Sequence, residues 1–247
     1  MTTILKLGGS VVTAKDRRET VDDSSIARAA SAIAEAGPER LVVVHGGGSF
    51  GHPIATNRAV NSEVGTDDAA DVRAIHETMG RLLRHVTDAL SDGGVPAVPV
   101  RPFSAGYRTA GGTVELYTEA VSTMVNEGFV PVLHGDVFVT DGGGATIVSG
   151  DELVVALGEA MAADRIGLCS TVPGVLDENG DVVSSIERYE DVDRILGESE
   201  ATDVTGGMAG KVRALLDADV SASIFGLDDL GDFLAGEGVG TRVDRGP

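Results

Sequence analysis

The chain of 247 residues has no tryptophan, a single cysteine and no long hydrophobic run. With only Cys169 available, a disulfide within the chain is excluded, which fits a reducing compartment. No apolar segment approaches the roughly 20 residues that a membrane-spanning helix needs. The N-terminus enters a β-like segment directly, without the features of a signal peptide. We therefore expect a soluble cytoplasmic protein.

Positive charge is also scarce, because 39 acidic residues stand against 19 basic ones and give a formal net charge of −20. Nucleic acid and anionic membranes would repel such a chain, so neither is an expected partner. Hydrophobic residues make up 42% of the sequence, which argues against disorder as the meaning of the acidity. The acidic excess, arginine in place of lysine and few aromatics together predict a halophilic protein.

This charge predicts that stability depends on salt. Repulsion among the surplus carboxylates destabilises the compact state, and its range falls from about 10 Å at 0.1 M salt to about 3 Å at 1 M. The Tm should therefore rise between low and molar KCl, which a series of thermal melts would measure. A Tm that stays constant or falls would contradict the high-salt interpretation.

Lysine occurs only three times, and its positions are informative. Each lysine stands in a short run that also contains glycine, serine or threonine: Lys6–Ser10, Thr13–Lys15 and Thr205–Lys211. An ammonium group on a flexible stem suits a moving phosphoryl group, and nearby glycines let backbone N–H groups approach an anion. The pattern predicts lysines that act on phosphate; the alternative is three ordinary surface lysines.

Strand-like and helix-like segments alternate along the chain. Thr3–Leu7 and Leu41–His45 have the composition of buried strands. A helix is predicted from Ser24 or Ser25 to Gly37, and a longer one from Asp67 to Leu90 has apolar residues at helical spacing. This alternation predicts an α/β fold, with an open, mostly parallel central sheet and helices on both faces. Ligands in such folds bind at the carboxyl ends of the strands.

Two glycine loops, Gly8–Ser10 and Gly46–Gly48, each follow a predicted strand. Neither matches GxGxxG or GxxxxGK[ST], which disfavours a Rossmann dehydrogenase and a P-loop enzyme. Each loop alone is weak evidence, since glycine also forms tight turns. Two such loops at one sheet edge, with three lysines, predict a reaction between two phosphate-bearing ligands.

Four motifs occur in the order found in the amino acid kinase family. They are Lys6–Ser10, His45–His52, Ser149–Asp151 and Asp203–Met208 followed by Lys211. The chain resembles this family over essentially its whole length, and the Ser-Phe-Gly-His ending of the second motif resembles the branch that phosphorylates isopentenyl phosphate. The segment Ser170–Leu176 departs from the Asp-bearing run of relatives, which leaves the nucleotide contacts there open.

The resemblance implies an αβα sandwich formed by one domain, residues 1–247, whose N-terminal part binds the acceptor phosphate and whose C-terminal part binds the nucleotide. The implied reaction converts isopentenyl phosphate to isopentenyl diphosphate with ATP and Mg²⁺, a step of isoprenoid biosynthesis in a mevalonate-type pathway. A homodimer is the expected assembly. The alternatives are a related kinase for another small phosphate, phosphonate or carboxylate, and a catalytically idle nucleotide sensor.

The resemblance also implies roles for individual residues. The catalytic residues would be Lys6, His52, Asp151 and Lys211. ATP would contact Lys6, Gly8, Gly9, Ser10, Lys15, Gly206, Gly207 and Lys211. The acceptor would contact Gly47, Gly48, Ser49, His52, Met79 and Leu83. No protein metal ligands are expected, because His76, His85 and His134 lack a metal-ligand spacing.

Several of these residues have structural alternatives. His52 could bind the acceptor phosphate, or be a structural histidine before Pro53. Asp151 could orient Lys6 and Lys211, or cap the helix that it begins. The apolar face of the predicted helix that contains Met79 and Leu83 could pack in the hydrophobic core or could line the pocket for the isoprenoid tail. His45, at the end of an apolar strand, is interpreted as structural.

Overall fold

The computed structural model describes residues 1–191, 207–217 and 220–244, in two β-sheets flanked by helices. The larger sheet contains β1 (Thr2–Leu7), β2 (Arg40–His45), β3 (Ala97–Pro99), β6 (Val130–His134), β9 (Arg165–Ser170), β10 (Ser185–Ile186), β11 (Ala222–Gly226) and β12 (Thr241–Val243). The smaller sheet contains β4 (Gly106–Arg108), β5 (Val114–Leu116), β7 (Asp136–Thr140) and β8 (Gly144–Val148). The helices are α1 (Gly9–Val12), α2 (Asp23–Ala36), α3 (Gly48–Asn57), α4 (Ala69–Asp92), α5 (Glu119–Asn126), α6 (Gly150–Ala160), α7 (Gly207–Asp217) and α8 (Leu230–Ala235).

The strand order of the larger sheet is β10-β12-β11-β9-β1-β2-β6-β3. Neighbouring strands are parallel except for the antiparallel pair β11 and β12. The predicted α/β class with an open, mostly parallel sheet is therefore confirmed. Among the described helices, none is long and apolar enough to cross a bilayer.

Both faces of the sheet are buried, which explains the continuous apolar runs of its strands. On β1, Leu5 and Leu7 belong to a core formed with α2 and α4. Ile4 points to the opposite core, which contains residues of α5, α6 and α7. Successive residues of β1 point to opposite faces of the sheet. The strand is therefore covered by helices on both sides and lies at the centre of the molecule.

The predicted limits of α2 need one correction. The helix begins after Asp22, whose carboxylate accepts a hydrogen bond from the Ser25 N–H at 3.0 Å, rather than at Ser24 or Ser25. This hydrogen bond lowers the pKa of Asp22. Gly37 ends the helix as predicted, with the left-handed φ of 55° that favours glycine.

Helix α3 was not expected, because its sequence begins with glycines and contains Pro53. Proline has no N–H to donate to the carbonyl four residues earlier, which belongs to Ser49. The Ser49 carbonyl instead accepts a hydrogen bond from the Glu19 N–H at 3.1 Å. The tertiary contact satisfies the carbonyl that proline leaves without a helical partner, so the helix continues past Pro53.

Candidate active site

A cavity of about 740 Å³ opens at the carboxyl ends of β1, β2, β6 and β9. Twelve predicted site residues line it: Lys6, Gly8, Gly9, Ser10, Lys15, Gly47, Gly48, Ser49, His52, Met79, Asp151 and Lys211. The fold thus brings the separate sequence motifs together at the edge where parallel sheets bind ligands.

Of the three remaining predicted residues, Leu83 does not line this cavity. Leu83 is 2% exposed and packs in the core on the α2 and α4 side of the sheet, so its placement does not support contact with an acceptor. Gly207 begins α7. Gly206 lies outside the described residues.

The two glycine loops touch through their backbones. A Cβ added to Gly9 would lie 2.4 Å from the Gly48 nitrogen, and one added to Gly46 would lie 2.5 Å from the Gly9 nitrogen. Gly48 also has a φ of 47°, in the region that disfavours other residues. These positions require glycine because a side chain would separate the loops.

Backbone N–H donors line the cavity at this contact. The N–H groups of Gly9, Ser10, Gly47 and Gly48 donate no hydrogen bond to any residue that the structure describes. Two of them belong to the first loop and two to the second. Groups of adjacent N–H donors form anion sites, so the two loops together offer places for two phosphate groups.

A buried ion pair lies beside these donors. Lys6 projects from β1 with a side chain 6% exposed, and its Nζ lies 2.6 Å from Oδ1 of Asp151. Gly150 leaves room for the lysine, since a Cβ there would lie 3.1 Å from the Lys6 Cε. The carboxylate compensates the charge of the ammonium and fixes its position at the cavity.

The structure removes the helix-cap alternative for Asp151. The N-cap of α6 is Ser149, whose hydroxyl accepts a hydrogen bond from the Glu152 N–H while the Glu152 carboxylate accepts from the Ser149 N–H. Asp151 is the second residue of α6, and its carboxylate faces Lys6. Lys211, on α7, lines the same cavity.

An apolar wall adjoins the second glycine loop and His52. Met79 of α4 lies close to α3, where an added Cβ on Gly51 would be 2.9 Å from the methionine sulphur. Ile75 lies one turn before Met79, and Ile147 belongs to the wall from β8. The cavity therefore has a polar, cationic part and an apolar part, as a phosphorylated hydrocarbon requires.

A hydrogen-bonded chain that the sequence did not reveal borders the apolar part. Asp136 lines the cavity, and its Oδ2 lies 2.8 Å from His76 Nδ1, while Arg101 Nη1 lies 3.2 Å from His76 Nε2. Because guanidinium only donates, Nε2 of the imidazole accepts and Nδ1 carries the hydrogen donated to Asp136. Arg101 and His76 thus stabilise a carboxylate that is 1% exposed.

Two histidines form a pair in the core, as expected for a structural His45. The rings of His45 and His134 stack with centroids 5.6 Å apart, and both residues are fully buried. Burial, and secondarily the proximity of His134, lowers the pKa of His45 to about 3. Burial also lowers the pKa of His134, although the nearby Asp136 opposes the shift. Both rings are therefore neutral in the folded protein at neutral pH.

The buried imidazoles predict a loss of stability in acid. In the unfolded chain a histidine gains a proton as the pH falls below about 6.5, whereas folded His45 stays neutral down to about 3. The free energy of unfolding should therefore be unaffected by His45 above pH 6.5, and His45 should lower it by about 2 kcal/mol at pH 5.

Denaturant unfolding at pH 7.5 and pH 5 would measure this loss in the parent and in His45→Asn. Carboxylates titrate in both proteins, so the difference between them isolates the imidazole. We expect the parent to lose more stability than the variant. Equal losses in the two proteins would show that His45 does not contribute.

Further residues at the cavity were not singled out from the sequence. Arg17 and Arg18 line it next to Lys15, and they form no ion pair with any residue in the described ranges. Two adjacent arginines close to a rare lysine, in a chain this acidic, could have been recognised from the sequence as a candidate anion-binding segment. Thr171, in the segment that departs from relatives, also lines the cavity, with its hydroxyl 3.5 Å from that of Ser10.

Comparisons with known proteins agree with this geometry. Residues 1–224 match the sequence profile of the amino acid kinase family. The isopentenyl phosphate kinase of Haloferax volcanii is 57% identical over 241 residues, 97% of each chain. That of Methanothermobacter thermautotrophicus is 36% identical over 230 residues, covering 86% of this chain and 85% of the relative. A crystal structure of an isopentenyl phosphate kinase superposes with a TM-score of 0.84 at 29% identity, covering 98% of this chain and all of the other.

Proposed function

Because this chain belongs to the amino acid kinase family, we propose that it transfers the γ-phosphoryl group of ATP to isopentenyl phosphate, yielding isopentenyl diphosphate and ADP. The observation that carries the proposal is the contact of two glycine loops whose N–H groups have no partner among the described residues, beside a buried lysine and an apolar wall. The similar isopentenyl phosphate kinases support the choice of acceptor.

The acceptor phosphate is already an anion, so the reaction needs no strong base. The protein must hold two mutually repelling phosphate groups in line and compensate the charge between them. We assign the donors of Gly9 and Ser10 to the transferred phosphoryl group, and those of Gly47 and Gly48 to the acceptor phosphate. Attack by an acceptor oxygen then forms the new P–O bond while the bond to the β-phosphate of ATP breaks.

The cationic side chains and His52 would contact the same phosphate groups. Lys6, oriented by Asp151, and Lys211 would stabilise the transferred group and the β-phosphate that leaves, and Lys15 would contact the nucleotide phosphates. His52, next to the second loop on α3, would donate a hydrogen bond to the acceptor phosphate. Preorganised donors of this kind stabilise charge that develops in the transition state.

The apolar wall would hold the isoprenoid tail. Ile75, Met79 and Ile147 lie on the acceptor side of the cavity, whereas Thr171 lies on the other side, with its hydroxyl near that of Ser10 in the first glycine loop. This division supports one domain over residues 1–247 in which the N-terminal part binds the acceptor and the C-terminal part binds ATP. We further propose a halophilic, cytoplasmic homodimer, in keeping with the acidic composition and the family resemblance.

Mg²⁺ would accompany ATP. Within residues 1–191, 207–217 and 220–244, no group of three histidine, cysteine or acidic side chains could hold a metal ion. Mg²⁺ readily keeps water and phosphate oxygens as ligands, so we assign no protein metal cage and no step to protein-bound metal.

The purified chain, assayed with radiolabelled ATP and Mg²⁺ in high salt, would test the function. The acceptors to compare are isopentenyl phosphate, dimethylallyl phosphate, acetylglutamate, uridylate and fosfomycin. Label should pass to isopentenyl phosphate with the highest kcat/KM, and a Lys211→Ala variant should be a negative control. Preferred transfer to acetylglutamate, uridylate or fosfomycin, or binding of ATP without any transfer, would refute the assignment.

A further inference from the structure

Thr13 connects the two glycine loops through one hydroxyl group. The residue follows α1 and is 1% exposed. Its Oγ1 donates a hydrogen bond to the Gly9 carbonyl at 2.7 Å and accepts one from the Ser49 N–H at 2.9 Å. A hydroxyl is the one small side-chain group that donates and accepts equally well, so it joins a carbonyl of the first loop to an N–H in the first turn of α3, directly after the second loop.

The second glycine loop packs closely against this hydroxyl. A Cβ on Gly48 would lie 2.0 Å from Thr13 Oγ1, which shows how closely the second loop packs against it. Thr13 does not fall within the four family motifs, and none of the roles proposed above uses it. Its position between the loops nevertheless makes it the side chain that links their backbones.

Ser49 extends the connection to the segment between α1 and α2, through Glu19 and Thr20. Its carbonyl accepts from the Glu19 N–H at 3.1 Å, and its hydroxyl lies 3.4 Å from the Thr20 nitrogen and 3.3 Å from the Thr20 carbonyl. The N–H, carbonyl and hydroxyl of Ser49 are therefore all used inside the protein. The family resemblance implies that Ser49 contacts the acceptor, whereas these contacts favour a role in holding the loop that contains Lys15 against α3.

We propose that Thr13 is a positioning residue, whose hydroxyl holds the nucleotide-side loop and the acceptor-side helix α3 in one register. This inference rests on the proposed phosphoryl transfer between ligands bound to the two loops. Each loop would still bind its own phosphate without the hydroxyl, but the two phosphates would lose their alignment. In-line transfer is sensitive to such a change, since a shift of about 1 Å can cost about 100-fold in rate.

The test compares Thr13→Ala with Thr13→Ser. Both lack the methyl group, and only the serine variant retains the hydroxyl, so their difference isolates the two hydrogen bonds. In Thr13→Ala we expect kcat to fall about 10- to 100-fold, while the Kd for a non-hydrolysable ATP analogue and the Kd for isopentenyl phosphate, each measured alone, change less than about threefold. Thr13→Ser should retain kcat within about threefold of the parent.

Thr146→Ala is the matched control for lost stability. Its hydroxyl is also buried, accepts from Arg108 Nε at 3.2 Å and lies 2.8 Å from the Thr140 hydroxyl, but it is outside the cavity. We expect this variant to lower the Tm and to leave kcat within about twofold of the parent. If Thr146→Ala lost as much kcat as Thr13→Ala, the loss in Thr13→Ala would be explained by general destabilisation.

Three other outcomes would overturn the proposal. They are a parental kcat in Thr13→Ala, an equal loss in Thr13→Ser, and a loss of affinity for either ligand that accounts for the whole change. If Thr13→Ala does not fold, Thr13→Val keeps nearly the volume of threonine without the hydroxyl and should have a lower kcat than Thr13→Ser. An inactive parent would contradict the proposed function, whereas an active parent with unaffected variants would contradict this inference alone.

Discussion

Asp151→Asn should lower kcat by about 100- to 1000-fold, with a much smaller change in the affinity for ATP. Asparagine preserves the shape of the side chain but removes the charge that lies 2.6 Å from Lys6 Nζ. The ammonium is buried, so it would lose its compensating carboxylate and its fixed position. Steady-state kinetics and nucleotide titration of the two proteins would separate the effects on turnover and on binding.

Glu152→Gln provides a control on the same turn of α6. Its carboxylate lies 2.8 Å from Arg108 and accepts from the Ser149 N–H, a bond that the glutamine oxygen can retain. Glu152 is not part of the active-site wall, so its neutralisation should leave kcat near the parental value. If Asp151→Asn were no slower than Glu152→Gln, the orienting role of Asp151 would be wrong.

Lys211 belongs to the same prediction. If Lys6, Asp151 and Lys211 act as one unit, the losses of Asp151→Asn and Lys211→Ala should not add in the double variant. Strict additivity would show instead that Asp151 and Lys211 act independently.

His52→Ala should cost about 2–4 kcal/mol of transition-state stabilisation, which is typical for one preorganised donor, while ATP binding stays near normal. The imidazole lies at the active-site cavity on α3, beside the loop assigned to the acceptor phosphate. His52→Gln or His52→Asn should recover part of the rate by supplying a neutral donor. Kinetics with varied isopentenyl phosphate would measure the loss in kcat/KM.

His85→Ala is a suitable comparison, because His85 is an exposed histidine on α4 that does not line the cavity. It should retain parental kinetics, which would show that loss of a histidine by itself has no effect. Parental turnover of His52→Ala, with an unchanged KM for the acceptor, would show that His52 is the structural residue of the alternative interpretation.

The sheet was predictable because buried parallel strands have a simple signature. Leu41–Val44 is continuously apolar, and β2 spans Arg40–His45. Helix α3 was not predictable from local sequence, because Pro53 and the leading glycines disfavour a helix there. Its stability depends on Glu19, nearly 30 residues earlier, whose N–H satisfies the Ser49 carbonyl.

In the candidate site too, short motifs were predictable from the sequence and contacts between distant residues were not. Glycine loops and rare lysines are visible as short motifs, and they line the cavity as expected. The contact between His76 and Asp136 joins positions 60 residues apart, so no spacing rule reveals it. Helical periodicity places Met79 and Leu83 on one face, but it cannot tell which of them borders the cavity and which lies in the core.

The backbone contact of Gly9 with Gly46 and Gly48 fixes the distance between the loop assigned to the transferred phosphoryl group and the loop assigned to the acceptor phosphate. The separation is set by peptide geometry, since no side chain fits between the loops. Substitution can therefore break this spacing but has little means of adjusting it in small steps. If related enzymes with this contact diverge in the molecules that they phosphorylate, the divergence should be found in walls such as Ile75 and Ile147, where a change of side chain does not separate the loops.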